Sequence, residues 1–176
     1  TNSLITGKAK DCLGVVGGKL LQGSTTKVFR GASINSRTIK EEELFVCIQG
    51  EKFDGHNFLG EAINKGAAGV ILSNPSYISE GMISEEDSPF VIQSQDTLRA
   101  LQDLASYQRT RFPFQVVAVT GTNGKSTTKE MIASIIETKY KTLKTQGNLN
   151  NHIGLPLTLL ARKPEHEVGV LEMGMS

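Results

Sequence analysis

Phe114-Gln115-Val116-Val117-Ala118-Val119-Thr120-Gly121-Thr122-Asn123-Gly124-Lys125-Ser126-Thr127 is the stretch on which the reading of this chain turns. Phe114–Thr120 is apolar and β-branched, the composition of a buried strand. Gly121–Gly124 is a tight loop. A helix is expected from Lys125, with Met131, Ile132, Ile135 and Ile136 as its buried stripe. The phosphate-loop template G-x-x-x-x-G-K-[ST] is met at Gly124, Lys125 and Ser126, while its first glycine falls on Val119. The physics still suits a phosphate. Glycines let backbone N–H groups turn inward around an anion, and a helix N-terminus adds unpaired donors and a favourable field. Lys125 can reach β- and γ-phosphates, and the Ser126 hydroxyl can ligate Mg²⁺. The bland alternative is a plain strand–helix turn.

Working outward, Lys141–Thr145 reads as a strand, Pro156–Arg162 as a short helix opened by proline, and Glu167–Met173 as another buried strand. Glu172 then stands at the carboxyl end of a parallel strand, where doubly wound sheets present ligands, and is a candidate Mg²⁺ ligand beside a nucleotide. A strand-end residue facing solvent is the alternative. Thr145-Gln146-Gly147-Asn148-Leu149-Asn150-Asn151-His152 is a loop whose amides could meet a polar ligand. His152 alone reads as a structural residue.

Upstream, Glu43–Ile48 reads as a strand. A turn follows with Asp54 or Asn57 as cap, then a helix burying Phe58, Leu59, Ala62 and Ile63. Gly66 closes that helix, and Ala68–Leu72 is the next strand, a βαβ pattern that predicts a parallel sheet. Glu80–Ser88 reads as a solvated acidic loop and Pro89–Ile92 as a strand. Asp96 caps a helix to about Arg111, with Leu98, Leu101, Leu104 and Ala105 on one face, which we take as the element joining two domains. Ser36 and Arg37, in Asn35-Ser36-Arg37, offer a hydroxyl and a fork of donors that suit a phosphate. From these residues alone a surface turn is the better reading.

Composition narrows the class. The chain has 176 residues, a net charge of +1, 38% hydrophobic and 21% charged residues. That is ordinary for a globular protein, and the charge argues against wrapping nucleic acid. Residues 1–113 carry 12 basic and 13 acidic side chains and residues 114–176 carry 7 and 5, so neither half is a charged arm. No apolar run approaches the ~18 residues that span a bilayer. The Thr1–Thr6 start lacks the features of a secretory signal. Cys12 and Cys47 are far apart, which predicts buried, reduced thiols rather than a zinc site or disulfide framework.

These segments, together and in this order, resemble the Mur ligase family of peptidoglycan synthesis. The loop Gly121–Ser126 is similar to the family's Gly-Thr-Asn-Gly-Lys-Thr/Ser loop, which also lacks the first glycine of the template. Gly147-Asn148-Leu149-Asn150-Asn151-His152-Ile153-Gly154-Leu155-Pro156-Leu157-Thr158 resembles the branch that joins D-alanyl-D-alanine to UDP-N-acetylmuramoyl-tripeptide. The resemblance runs from about Leu20 to Ser176. It implies an α/β fold: a small N-terminal UDP-sugar-binding domain over 1–95, a connecting helix over 96–113, and over 114–176 the first part of a parallel-sheet, P-loop-type ATPase domain.

The resemblance also implies roles. ATP would bind Gly121, Thr122, Asn123, Gly124, Lys125, Ser126 and Thr127, with Lys125 the catalytic cation and Ser126 and Glu172 holding Mg²⁺. Asn35 departs from the family's Asp-Ser-Arg, leaving Ser36 and Arg37 as substrate-binding candidates. Asp54 and His56 match its Asp-Gly-His segment, and Asn148, Asn150 and Asn151 its substrate-facing asparagines. The implied reaction is ATP-dependent amide formation through an acyl phosphate. The protein is expected to be cytoplasmic, without membrane insertion or nucleic acid, and monomeric at full length. The family has three domains, so this chain alone is expected to show no turnover and to leave a sheet edge uncovered. A sister ligase adding another amino acid, or a non-catalytic UDP-sugar- or ATP-binding module, are the alternatives. An unrelated P-loop switch protein would need a glycine near Val119.

Overall fold

A computed structural model describes residues 6–51, 53–79, 82 and 88–174. The Thr1–Ile5 start and all of the acidic segment 80–88 except Met82 and Ser88 lie outside the described residues. The chain forms two compact units, one reaching to Leu104 and the other running from Ala105 onward. It is mixed α/β with parallel sheets, as the sequence predicts.

The first unit opens with elements that the sequence reading left undivided. These are strand β1 (Thr6–Lys8), helix α1 (Ala9–Val16), and strands β2 (Lys19–Gln22), β3 (Val28–Arg30) and β4 (Ala32–Ser33). Strand β5 (Leu44–Val46), helix α2 (Leu59–Asn64), and strands β6 (Gly69–Leu72) and β7 (Phe90–Gln93) follow. The main sheet runs β2-β7-β6-β5-β4, with β4 to β7 parallel and β2 antiparallel to β7. A separate antiparallel pair joins β1 to β3.

All three residues of β5, all four of β6 and the first three of β7 are buried. Continuous apolar runs of this kind belong to parallel strands covered on both faces. Gly69 is where the core is tightest: a Cβ there would lie 2.2 Å from the Phe90 ring. Cys12 and Cys47 are buried and free. Burial, with the nearby Asp11 and Asp54 carboxylates adding to it, pushes each thiol up to about 12.

Asp54 caps not an α-helix but a 3-10 turn over Gly55–Phe58, which then runs into α2. The tighter turn rotates Phe58 outward. Leu59 and Ala62 are buried as expected, whereas Phe58 is exposed and Ile63 half-buried.

Helix α3 (Thr97–Arg111) spans the division between the units. Asp96 caps it, its Oδ1 accepting from the Arg99 N–H at 2.8 Å. Leu101, Leu104 and Ala105 are buried, and Leu98 is half-buried.

The second unit holds β8 (Gln115–Val119), helix α4 (Lys125–Ile136), β9 (Thr142–Lys144), helix α5 (Gly154–Leu160) and β10 (Val168–Glu172). Its parallel sheet has the order β8-β10-β9, and the register sets Glu172 beside Val119.

Helix α4 corrects the expected stripe. Met131 and Ile135 are 63% and 71% exposed, and the buried residues are Lys129 and Ala133, with Ile132 and Ile136 half-buried. Those four positions follow the 3.6-residue period, and Ala133, Ile132 and Ile136 pack on Val119 and Val170. Apolar character alone misassigned the face, because a lysine occupies one of its inward positions. Helix α5 begins two residues before Pro156, where the Asn151 Oδ1 accepts from the Ile153 and Gly154 N–H groups at 3.1 and 2.8 Å. Among the described residues no helix is long and apolar enough to cross a membrane.

Candidate functional site

The glycine loop lies between the end of β8 and the start of α4. Gly121 has φ of 148° and Gly124 of 73°, backbone that side-chain-bearing residues rarely adopt. The first turn of α4 therefore opens on the loop with its early N–H groups unpaired within the helix. Lys125 folds back, its Nζ donating to the Gly121 carbonyl at 2.7 Å. Thr122, Asn123, Ser126 and Thr127 are exposed around this turn.

Three elements converge on Glu172 at the carboxyl end of β10. Ser126 Oγ donates to its Oε2 at 2.9 Å, and Asn150 Nδ2 donates to its Oε1 at 2.7 Å. The Glu172 N–H donates to Thr145 Oγ1 at 2.9 Å. Glu172 is 2% exposed, so it is not the solvent-facing strand end of the alternative reading. Burial pushes its carboxyl up. The Asn150 and Ser126 donors, with the Lys129 and Lys125 charges, outweigh burial and hold it below its ordinary value.

The three asparagines separate in space. Asn150 reaches Glu172, and the Gly174 N–H donates to the Asn150 backbone carbonyl at 2.7 Å. Asn151 spends its Oδ1 on the start of α5. Asn148 is exposed on the loop. The glycine at 154 has a packing reason, since a Cβ there would lie 2.4 Å from the Leu149 Cα.

The first unit carries a separate concavity of about 380 Å³, lined by Asn35, Ser36, Arg37, Ile48, Phe53 and Phe58 among others. Arg37 is exposed, and Phe53 is 72% exposed. Ser36 is buried, and its hydroxyl donates to Glu61 Oε2 at 2.6 Å. Lys65 Nζ donates to the Ser36 carbonyl at 2.8 Å, the Arg37 carbonyl at 2.9 Å and Glu61 Oε1 at 3.0 Å. The turn is thus braced from behind, leaving the guanidinium to face outward.

Asp54 and His56 are also committed internally. Asp54 Oδ1 accepts from the His56 N–H at 2.9 Å and meets its Nδ1 at 2.5 Å, while Oδ2 accepts from Tyr77 Oη at 3.2 Å. The His56 Nε2 accepts from the Ser73 N–H at 3.0 Å, so the ring proton sits on Nδ1, toward Asp54. Burial pushes the Asp54 carboxyl up, but the His56 N–H, its ring and the Tyr77 hydroxyl bring it below its ordinary value. Of the four candidates here, Arg37 is the one whose side chain is exposed at the concavity. Ser36 lines the concavity with its hydroxyl turned to Glu61, while Asp54 and His56 do not line it and fix the turn around Gly55, which does.

The sequence reading missed Phe53, Phe58, Glu61, Lys65, Thr145 and Lys129. The two phenylalanines carry the same signal as core residues, and the lysines the same signal as a solvated face. For Lys129 one cue was available: it lies one helical turn after Lys125, on the same side of α4.

Comparison with known proteins now fits this geometry. A model described as "Mur ligase family, catalytic domain" matches residues 28–109, and one described as "Mur ligase middle domain" matches residues 119–176. The chain belongs to the Mur ligase family. Within the family its similarity runs to UDP-N-acetylmuramoyl-tripeptide–D-alanyl-D-alanine ligases. It is 42% identical over 149 residues to that of Bacillus subtilis, covering 85% of this chain and 31% of the relative. It is 43% identical over 131 residues to that of Escherichia coli, covering 74% and 27%. A crystal structure of MurF from Acinetobacter baumannii superposes with a TM-score of 0.83 at 31% identity, covering 98% of this chain and 37% of that one. MurF from Thermotoga maritima in complex with ADP superposes at 0.67 and 34%, covering 82% and 32%. The chain spans about a third of the length of these relatives.

Proposed function

We propose that this chain is the nucleotide-sugar-binding and phosphate-loop part of an ATP-dependent ligase that joins D-alanyl-D-alanine to UDP-N-acetylmuramoyl-tripeptide. The observation that carries the reading is the convergence of Ser126 and Asn150 on the buried Glu172, beside a glycine loop with Lys125 at its end. The residues fit Mg²⁺ and a triphosphate. Serine and glutamate are hard oxygen donors, and each Glu172 oxygen, holding one hydrogen bond, keeps a lone pair for a cation. Bound ATP supplies the phosphoryl group that activates the tripeptide carboxylate, and Mg²⁺ supplies positive charge along the phosphate oxygens.

In this reading residues 114–176 form the ATP-binding part, and the loop from Gly121 to Thr127 receives the phosphates through backbone N–H groups. The Lys125 ammonium leaves the Gly121 carbonyl for the transferring phosphoryl group and neutralises the charge that spreads over it. Ser126 and Glu172 hold the cation. Asn150 steadies the carboxylate rather than the sugar peptide. Residues 1–95 bind the uridine diphosphate sugar at the concavity, with Arg37 on the diphosphate and Phe53 and Phe58 offering apolar faces. Residues 96–113 connect the two. The protein acts in the cytoplasm as a monomer, without nucleic acid.

Calorimetric titration of the chain with UDP-N-acetylmuramoyl-tripeptide, and separately with Mg²⁺–ATP, tests this. Saturable binding of both is the expected result. Binding of neither would sink the reading.

A further inference from the structure

A fully enclosed lysine needs a reason, because taking an ammonium out of water is costly unless it is paired and hydrogen-bonded. Lys129 is 2% exposed in the inward face of α4. Its Nζ donates to the Thr145 carbonyl at 2.8 Å and pairs with Glu130 Oε1 at 3.0 Å. Glu130 in turn meets Lys144 at 3.1 Å through its other oxygen.

The pairing with exposed Glu130 does not by itself explain the burial. A surface ion pair needs no buried lysine, and it stabilises little. The Thr145 contact points elsewhere. Thr145 is completely buried just past the end of β9, and its Oγ1 accepts the Glu172 N–H. One residue therefore takes the lysine on its carbonyl and the metal-ligand candidate on its hydroxyl. The segment that leaves Thr145 carries Asn150, whose amide holds the Glu172 carboxylate from the other side. The Lys129 charge also acts directly on that carboxylate.

We propose that Lys129 is a positioning residue for the phosphate-loop site. It ties the Thr145 end of β9 to α4, and so holds Glu172 and Asn150 in register with Ser126 before a divalent cation and a nucleotide arrive. This rests on the ATP-binding reading above. Lys125 and Lys129 divide the work of one helical stripe: the first serves the loop, and the second fixes the floor beneath it. Partners that orient a metal ligand without touching the metal typically change affinity by 10- to 100-fold.

The test is Lys129→Met in the full chain, with two readouts. In calorimetry Mg²⁺–ATP binding should weaken at least about tenfold, with the loss deepening as Mg²⁺ is lowered, while UDP-N-acetylmuramoyl-tripeptide binding stays at the unsubstituted value. In NMR of the ligand-free chain, the Asn150 side-chain amide protons should lose their protection from solvent exchange. If Lys129→Met does not fold, Lys129→Gln carries the test, since it removes the charge and draws the side chain back from the Thr145 carbonyl while keeping a polar end in the buried site. The same two changes are expected. A lower melting temperature with unchanged Asn150 protection and unchanged Mg²⁺ dependence would overturn the proposal. If the unsubstituted chain binds no ATP, the functional reading fails, and the NMR arm still decides whether Lys129 orders the site.

Discussion

The two candidate sites are built on opposite plans. At the end of β10, the polar side chains point at one another across elements far apart in sequence. Ser126, Asn150 and Thr145 all address Glu172, and a cation is buried beneath them. Beyond the ends of β4 and β5, the polar groups turn away from the concavity to brace it. Glu61 and Lys65 hold the Ser36–Arg37 turn, and Asp54 and His56 lock the next one, leaving a guanidinium and aromatic rings at the surface. The first plan suits a small hard cation and phosphates, which demand fixed oxygens. The second suits a larger ligand with a planar part and an anionic part.

Lys125→Ala should give the largest effect and the cleanest separation of the plans. It removes the one loop cation, so Mg²⁺–ATP affinity should fall by about 100-fold, near 2.7 kcal/mol. Nucleotide-sugar affinity should not change. Calorimetry of both ligands on one variant reads this directly, and parallel losses would mean that the sites are not separate. Arg37→Ala is the reciprocal break. Loss of a charge-assisted, two-pronged contact to a diphosphate should weaken nucleotide-sugar binding by roughly tenfold and spare Mg²⁺–ATP. Unchanged nucleotide-sugar affinity would remove the Asn35–Arg37 turn from the site.

The braces can be tested by acid. Asp54 is held below the ordinary carboxylate range in the folded chain. A depressed folded value contributes stability above the unfolded value, near 3.9, that is lost as pH falls through the folded value. Melting temperature should therefore fall more steeply below about pH 4 in the unsubstituted chain than in Asp54→Asn. Glu172 is depressed as well, so the Asp54→Asn chain should keep a residual acid-side slope. Identical slopes in the two chains would show that Asp54 contributes nothing to the pH dependence.

Much of this was legible beforehand, and the reasons differ by region. The strand–loop–helix around Gly121–Lys125 was readable because glycine placement and β-branched runs are local signals, as was the Asp96 cap. Ser126 and Glu172 could be named as partners because strand-end position and donor chemistry are written into the sequence. Their joint dependence on Asn150 and Thr145 could not, since it arises from the β8-β10-β9 order, which puts residues 22 and 27 positions apart into contact. Ser36 is a candidate by its chemistry, and Asp54 and His56 by their match to the family's Asp-Gly-His segment, but sequence does not show which way a polar side chain turns. In each case a nearer internal partner claims it.

The smallest effect expected concerns the face of α4, where apolar character misled. Ile135 is 71% exposed, and Ala133, two positions earlier, is wholly buried. Ile135→Lys in this chain should shift stability by no more than about 0.5 kcal/mol, as surface substitutions usually do. Ala133→Leu adds volume to a filled contact between α4 and the Val119–Val170 cluster, and should cost roughly 1–3 kcal/mol. Urea unfolding of the two variants side by side checks the order. A loss at residue 135 matching that at 133 would mean that the Met131–Ile135 stripe is packed in solution, and the first reading of the helix would stand after all.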